Sequence, residues 1–265
     1  MFTSEYLVQQ MQKMHQNAPL VHCMTNDVVV NFTANVLLAI GASPAMVVAK
    51  EESADFAQLA CALIVNPGTL TSQLAESIKS AVRSASAHHV PWVLDPVAVG
   101  ALKFRTDFCF DLMQYRPQVI RGNAAEITVL DGMKAQSKGP DSLMTSDDAL
   151  TSAQNVARHY QTVVALTGQT DYITDGHTTY ALNNGHEQLT RVTGAGCSLS
   201  AMVAAYCAVC ETPLLAALCA VSHMAIAGEV AANLTTGVGS FAVALLDQLQ
   251  LLAQDSTSRL VCQKL

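Results

Sequence analysis

Short apolar runs recur along the chain, each closing on polar or glycine residues before a helical pattern takes over. The runs are Pro19 to Asn26, Ala45 to Val48, Leu63 to Gly68, Trp92 to Pro96, Val119 to Asn123 and Val163 to Gly168. Strand-length runs that alternate with helices predict parallel strands joined by crossover helices. The runs are apolar at consecutive positions, so both faces of the sheet are expected to lie under helices, an α/β architecture. Their polar residues fall at the carboxyl ends of the strands, where open α/β sheets bind ligands. Tyr172 to Thr174 and Thr178 to Leu182, flanking Asp175 and Gly176, predict a hairpin after the last parallel strand.

Helix starts agree with this frame. Thr212 ahead of Pro213 reads as an N-cap with proline at the first helical position, and Ser146 ahead of Asp147 and Asp148 starts another helix. Residues 131–145, with Gly132, Gly139 and Pro140, form the only long loop in this reading. No repeat, low-complexity tract or linker interrupts the chain, which predicts a single domain over residues 1–265.

Composition narrows the function classes. With 51% hydrophobic and 13% charged residues the chain buries a large core and is not globally disordered. A net charge of -7 and the lack of any dense Lys/Arg cluster argue against a nucleic-acid or anionic membrane surface. Residues 192–210 and 212–228 carry no charge, nearly enough for a membrane hairpin. Their Gly, Ser and Thr content, with His223, Glu211 and Glu229 where lipid would penalise them, favours two buried helices. Eight cysteines lie mostly in apolar runs, as reduced core thiols do, and the Cys207/Cys210 spacing lacks the second pair a zinc site needs. Residues 1–17 contain Glu5, Lys13 and His15 and no continuous apolar stretch, so no secretory signal is read and the expected location is the cytoplasm.

Candidate chemistry gathers at strand ends and at one glycine turn. In Val192 to Ser200, Gly194 and Gly196 open straight into an apolar helix, so the amides of Gly194, Ala195, Gly196 and Cys197 offer an anion hole reinforced by the helix dipole. At that helix N-terminus the Cys197 thiol is expected to fall from its usual pKa of about 8.5 toward neutrality, usable as a base or nucleophile; the other reading is an inert core thiol. Asp95 and Glu126 end neighbouring strands and suit a hydrated Mg²⁺, although a turn cap and a first-turn glutamate would look the same. Arg121, in a chain with only 14 Lys and Arg, reads as a phosphate clamp or as a structural ion pair. Thr167 and Gly168 could serve a nucleotide or simply turn the chain.

Taken in order, these residues resemble the hydroxyethylthiazole kinase family, ribokinase-like enzymes of bacterial thiamine salvage. The resemblance rests on Val21 to Val28 (VHCMTNDV), Gly41 to Met46 (GASPAM), Asn66 with Gly68 to Leu70, Leu94 to Ala101 (LDPVAVGA), Ile120 to Ile127 (IRGNAAEI), Thr167-Gly168 with Asp171 and Tyr172, and Thr193 to Ser198. It departs at Val238, where the family pattern has proline between two glycines, and at Pro67, where members often carry valine. The resemblance implies a three-layer ribokinase-like fold without a β lid. It implies ATP-dependent phosphorylation of the primary hydroxyl of 4-methyl-5-(2-hydroxyethyl)thiazole. Arg121 and Thr167 would contact ATP, Asp95 and Glu126 would lie near Mg²⁺, and Met46 and Gly194 would contact the alcohol with Asn26 close by. Cys197 takes the place of the aspartate base of most ribokinase-like kinases. A homotrimer with active sites at subunit interfaces is implied as well. Hydroxymethylpyrimidine kinase, sharing the nucleotide half, is the alternative within the superfamily.

Overall fold

The computed structural model describes residues 2–132, 144–252 and 257–265. Six strands run parallel: β1 (Leu20–Met24), β2 (Ser43–Ala45), β3 (Ala62–Val65), β4 (Trp92–Leu94), β5 (Val119–Asn123) and β6 (Val163–Thr167). Antiparallel to them follow β7 (Asp171–Thr174), β8 (Thr179–Leu182) and β9 (Cys262–Lys264), in one sheet of order β2-β1-β3-β4-β5-β6-β7-β8-β9. The chain steps outward from β1 to β2 and then returns past β1 to β3. Connections after β1 and β3 therefore leave in opposite directions, which opens a crevice between their carboxyl ends.

Each strand feeds two cores because successive side chains point to opposite faces. Cys23, Ile64 and Val93 pack under α1 (Ser4–Asn17), α2 (Val30–Ala39) and three late helices described below, whereas Leu63, Val65, Trp92 and Leu94 pack on the opposite face. That second face is covered by α3 (Lys50–Leu59), α4 (Ser72–Ala87), α5 (Lys103–Met113), α6 (Ala124–Leu130) and α7 (Ser146–Tyr160). On the first face lie α8 (Ala195–Cys207), α9 (Pro213–Leu234) and α10 (Val238–Leu251). The three-layer α/β arrangement expected from the apolar runs is the one observed. α9 alone among the described residues is long and apolar enough to cross a membrane, but 78% of its apolar window is buried in this core.

Local differences have local causes. β2 ends at Ala45, where its pairing with β1 stops, so Met46 to Val48 run on past the strand and not within it as their hydrophobicity suggested. The N-cap of α7 is Thr145, one residue before the expected Ser146; its hydroxyl accepts the Asp148 amide and its own amide donates to the Asp148 carboxylate. At α9 the expected cap stands, with Thr212 accepting from Leu215 N–H and Pro213 in the first turn. Most of the expected loop 131–145 lies outside the described residues. The β9 strand had no counterpart in the sequence reading. All eight cysteines are free thiols.

Candidate active site

The crevice at the carboxyl edge collects residues from both strands and helices. Asp95 follows β4 and is almost fully buried; its Oδ2 accepts the Ser200 hydroxyl of α8 at 2.8 Å. Glu126 lies in the first turn of α6, in a capping box with Asn123, and accepts the amides of Asn123 (2.9 Å) and Ala98 (3.0 Å). The structural reading of Glu126 is thus realised without excluding the functional one. Burial, and then the charge of Asp95, push the Glu126 carboxyl up to about 7. Burial likewise raises Asp95, against the pull of Arg121 and of the Ser200 hydroxyl.

Arg121 lies on β5. Its Nη2 donates to Thr167 Oγ1 at 2.6 Å and its Nη1 stands 4.0 Å from Asp95 Oδ2, while Nε is buried without a partner. A Cβ on Gly196 would come within 2.7 Å of Nη1, so the glycine is what lets the guanidinium lie against the first turn of α8. Gly168 donates its amide to Asp171, whose carboxyl is pushed up to about 6 by burial.

Gly194 caps α8 with φ of 91°, a left-handed conformation that glycine adopts freely. The Ala195 amide donates to the Val192 carbonyl and the Ser198 amide closes the first turn on Gly194. The anion hole expected from four amides therefore has Ala195 already engaged, while Gly196 and Cys197 occupy first-turn positions whose N–H groups find no carbonyl in helix geometry. Cys197 faces Asn26, whose Nδ2 lies 3.6 Å from its sulfur. Contrary to the expected fall toward neutrality, the thiol is pushed up to about 11 by burial and by the Asp95 charge, which outweigh Arg121 and the nearby amides.

Asn26 also donates to Asn66 Oδ1 at 2.9 Å, across the crevice between β1 and β3. Met46 lies just past the end of β2, half-buried against the core of the α8 face. His22 donates Nε2–H to the Val47 carbonyl at 2.6 Å, which holds the segment carrying Met46. Asn66 and Ser200 received no role from the sequence. Ser200 could have been found, since it lies three and four residues after Cys197 and Gly196 and so shares their helix face.

No group of three or more His, Cys, Asp or Glu able to hold a metal occurs among the described residues. Two buried carboxylates, one of which raises the pKa of the other, with a guanidinium nearby, instead suit Mg²⁺, which takes one or two carboxylates and completes its shell with water and phosphate oxygens.

The chain matches the Hydroxyethylthiazole kinase family over residues 11–255. It belongs to that family. A hydroxyethylthiazole kinase of Leptospira interrogans is 47% identical over 249 residues, 94% of each chain, and one of Pectobacterium atrosepticum is 51% identical over 232 residues, 88% of each. The solved hydroxyethylthiazole kinase of Pyrococcus horikoshii superposes with a TM-score of 0.91 at 38% identity, covering 98% of this chain and 99% of that one. A pyridoxal kinase from Staphylococcus aureus, at 19% identity and a TM-score of 0.61 over 79% of this chain and 87% of its own, shares the fold. Membership of the hydroxyethylthiazole kinase family does not favour the hydroxymethylpyrimidine kinase alternative.

Proposed function

We infer that the protein transfers the γ-phosphoryl group of ATP to the primary hydroxyl of 4-methyl-5-(2-hydroxyethyl)thiazole, the activity for which its relatives are named. The observation that carries the reading is the seating of Arg121 against Gly196 at the N-terminus of α8, between Thr167 and Asp95. A guanidinium and first-turn amides converging on one point supply fixed positive charge to a phosphoryl group in a loose transition state. Arg121, with Thr167 and Gly168 beside it, holds the nucleotide phosphates. Met46, Gly194 and Asn26 hold the alcohol at the other side of the α8 turn.

Asp95 and Glu126 would hold Mg²⁺, which would neutralise phosphate charge. The alcohol oxygen bonds to the γ-phosphorus as the bond from phosphorus to the bridging oxygen breaks, its electron pair leaving on ADP. The alcohol proton, retained until late, passes to Cys197 when that residue is a thiolate. Neighbouring copies cover the site in a homotrimer.

The test is ADP and thiazole-phosphate formation by the purified protein with ATP, Mg²⁺ and the alcohol. Glu126→Gln keeps the size of the side chain and removes its charge. It should lower metal-dependent turnover by about 10-fold or more while melting like the native protein. Full activity of that variant at low Mg²⁺ removes Glu126 from the metal site, and a native protein inert toward the alcohol overturns the substrate assignment.

A further inference from the structure

Asn66 follows β3 and is fully buried, and its side-chain amide has a fixed orientation. Its Oδ1 accepts the Gly68 backbone amide at 3.1 Å and Asn26 Nδ2 at 2.9 Å. Asn26 is oriented in turn by the Val28 amide, which donates to its Oδ1 at 3.2 Å. Two backbone N–H groups, which cannot be reversed, thus set both side-chain amides. A Cβ on Gly68 would come within 2.7 Å of Asn26 Nδ2, so this close approach requires glycine.

With Oδ1 engaged, Nδ2 of Asn66 points the other way, buried and without a hydrogen-bond partner. Asn66 lies near enough to Asp95 and Cys197 to favour the charged form of both, while its Nδ2 meets neither in hydrogen-bond geometry. A buried donor held open by its neighbours is costly and is found where a ligand completes it.

We propose that Asn66 is a catalytic residue of the phosphoryl transfer: its Nδ2 donates to the attacking alcohol oxygen, holding that oxygen beside Cys197 with a lone pair toward the γ-phosphorus. The inference rests on the kinase reading above and adds to it the group that orients the nucleophile. Asn66 takes no proton; the bonds made and broken are those already described.

Asn66→Asp tests it, because the new side chain keeps an oxygen for Gly68 and Asn26 and replaces the two N–H donors by an acceptor. At about pH 8 its kcat should fall about 10²-fold, with ADP affinity and melting temperature close to native. Toward about pH 6 its activity relative to native should recover, as the introduced carboxyl beside Asp95 takes up a proton and donates through O–H. A kcat within about threefold of native at about pH 8 overturns the proposal, and so does a loss unchanged across that range, which assigns Asn66 to holding Asn26 and Gly68 only. If Asn66→Asp does not bind ADP, Asn66→Ser is compared with Asn66→Ala. Serine, which retains a donor, should then exceed alanine by about 10-fold, and equality overturns the proposal. A native protein inactive on the alcohol overturns the kinase reading together with this one, whereas an active native protein with an equally active variant overturns this one alone.

Discussion

Cys197 stands where a helix N-terminus should favour a thiolate, yet burial and the Asp95 carboxylate push its pKa up to about 11. A thiol with that pKa is protonated at neutral pH, so the proposed transfer draws little from base catalysis there and relies on the fixed charges of Arg121 and the α8 turn. Turnover should rise with pH on the alkaline side as the thiol ionises, because the active form is the deprotonated one. Cys197→Ala should keep measurable activity and lose that rise, while Cys197→Asp should be at least as active as Cys197→Ala. Two inactive but folded variants would point to a covalent cysteine and away from phosphoryl transfer directly to the alcohol. Asp95, Glu126, Arg121 and Cys197 were legible in the sequence because each closes an apolar run or opens a helix. The sign of the shift at Cys197 was not, since it is set first by burial in the folded chain and then by the Asp95 carboxylate, which a strand distant in the sequence brings in. Asn66 likewise gains its meaning only from a partner 40 residues away, and Ser200 from one 105 residues away.

His223 ties together the three helices that carry the α8 turn. In α9, its Nε2–H donates to the Leu249 carbonyl of α10 at 3.0 Å, which leaves Nδ1 to accept the Tyr206 hydroxyl of α8 at 2.8 Å. Both bonds use the neutral ring, and burial lowers its pKa from 6.5 to about 4. Unfolded chains take up a proton near 6.5 that the folded protein refuses, so the stability contributed by neutral His223 is complete above that pH and is lost as pH falls through 4. The effect is at most about 3 kcal/mol. Melting temperature followed from pH 7 down to 4.5 should fall less steeply in His223→Gln than in the native protein, and parallel curves would show that other groups carry the acid sensitivity. Elements of this kind were largely legible, since the parallel strands and the start of α9 follow from apolar runs and capping residues. β9 was not, because Cys262-Gln263-Lys264 has no strand-like pattern and is recruited by pairing with β8. β2 was misplaced because an edge strand stops where its pairing stops and not where hydrophobicity does, here at Ala45 opposite His22 although β1 runs on to Met24.

At the scale of the whole molecule, the sheet that opens the crevice lays no strand across it among the described residues. All nine strands described belong to one sheet, so none is set aside as a lid over the carboxyl edge. Val28 and Val48, on the segments after β1 and β2 that also carry Asn26 and Met46, are 68% and 47% exposed. A kinase must keep water from the γ-phosphoryl group, and apolar side chains at the mouth of its site serve that end when another surface closes on them. A second copy of the chain is the occupant that the family resemblance implies, in the proposed homotrimer. Light scattering should then give about three times 28.1 kDa. Val28→Glu and Val48→Glu together place two charges at the mouth without touching Arg121, Asp95 or the α8 turn. They should shift the protein toward monomer, raise the KM for the alcohol by about 10-fold and increase ATP hydrolysis relative to alcohol phosphorylation. A native monomer with full activity, or a monomeric double variant with unchanged KM and no excess hydrolysis, would show that each chain closes its own site.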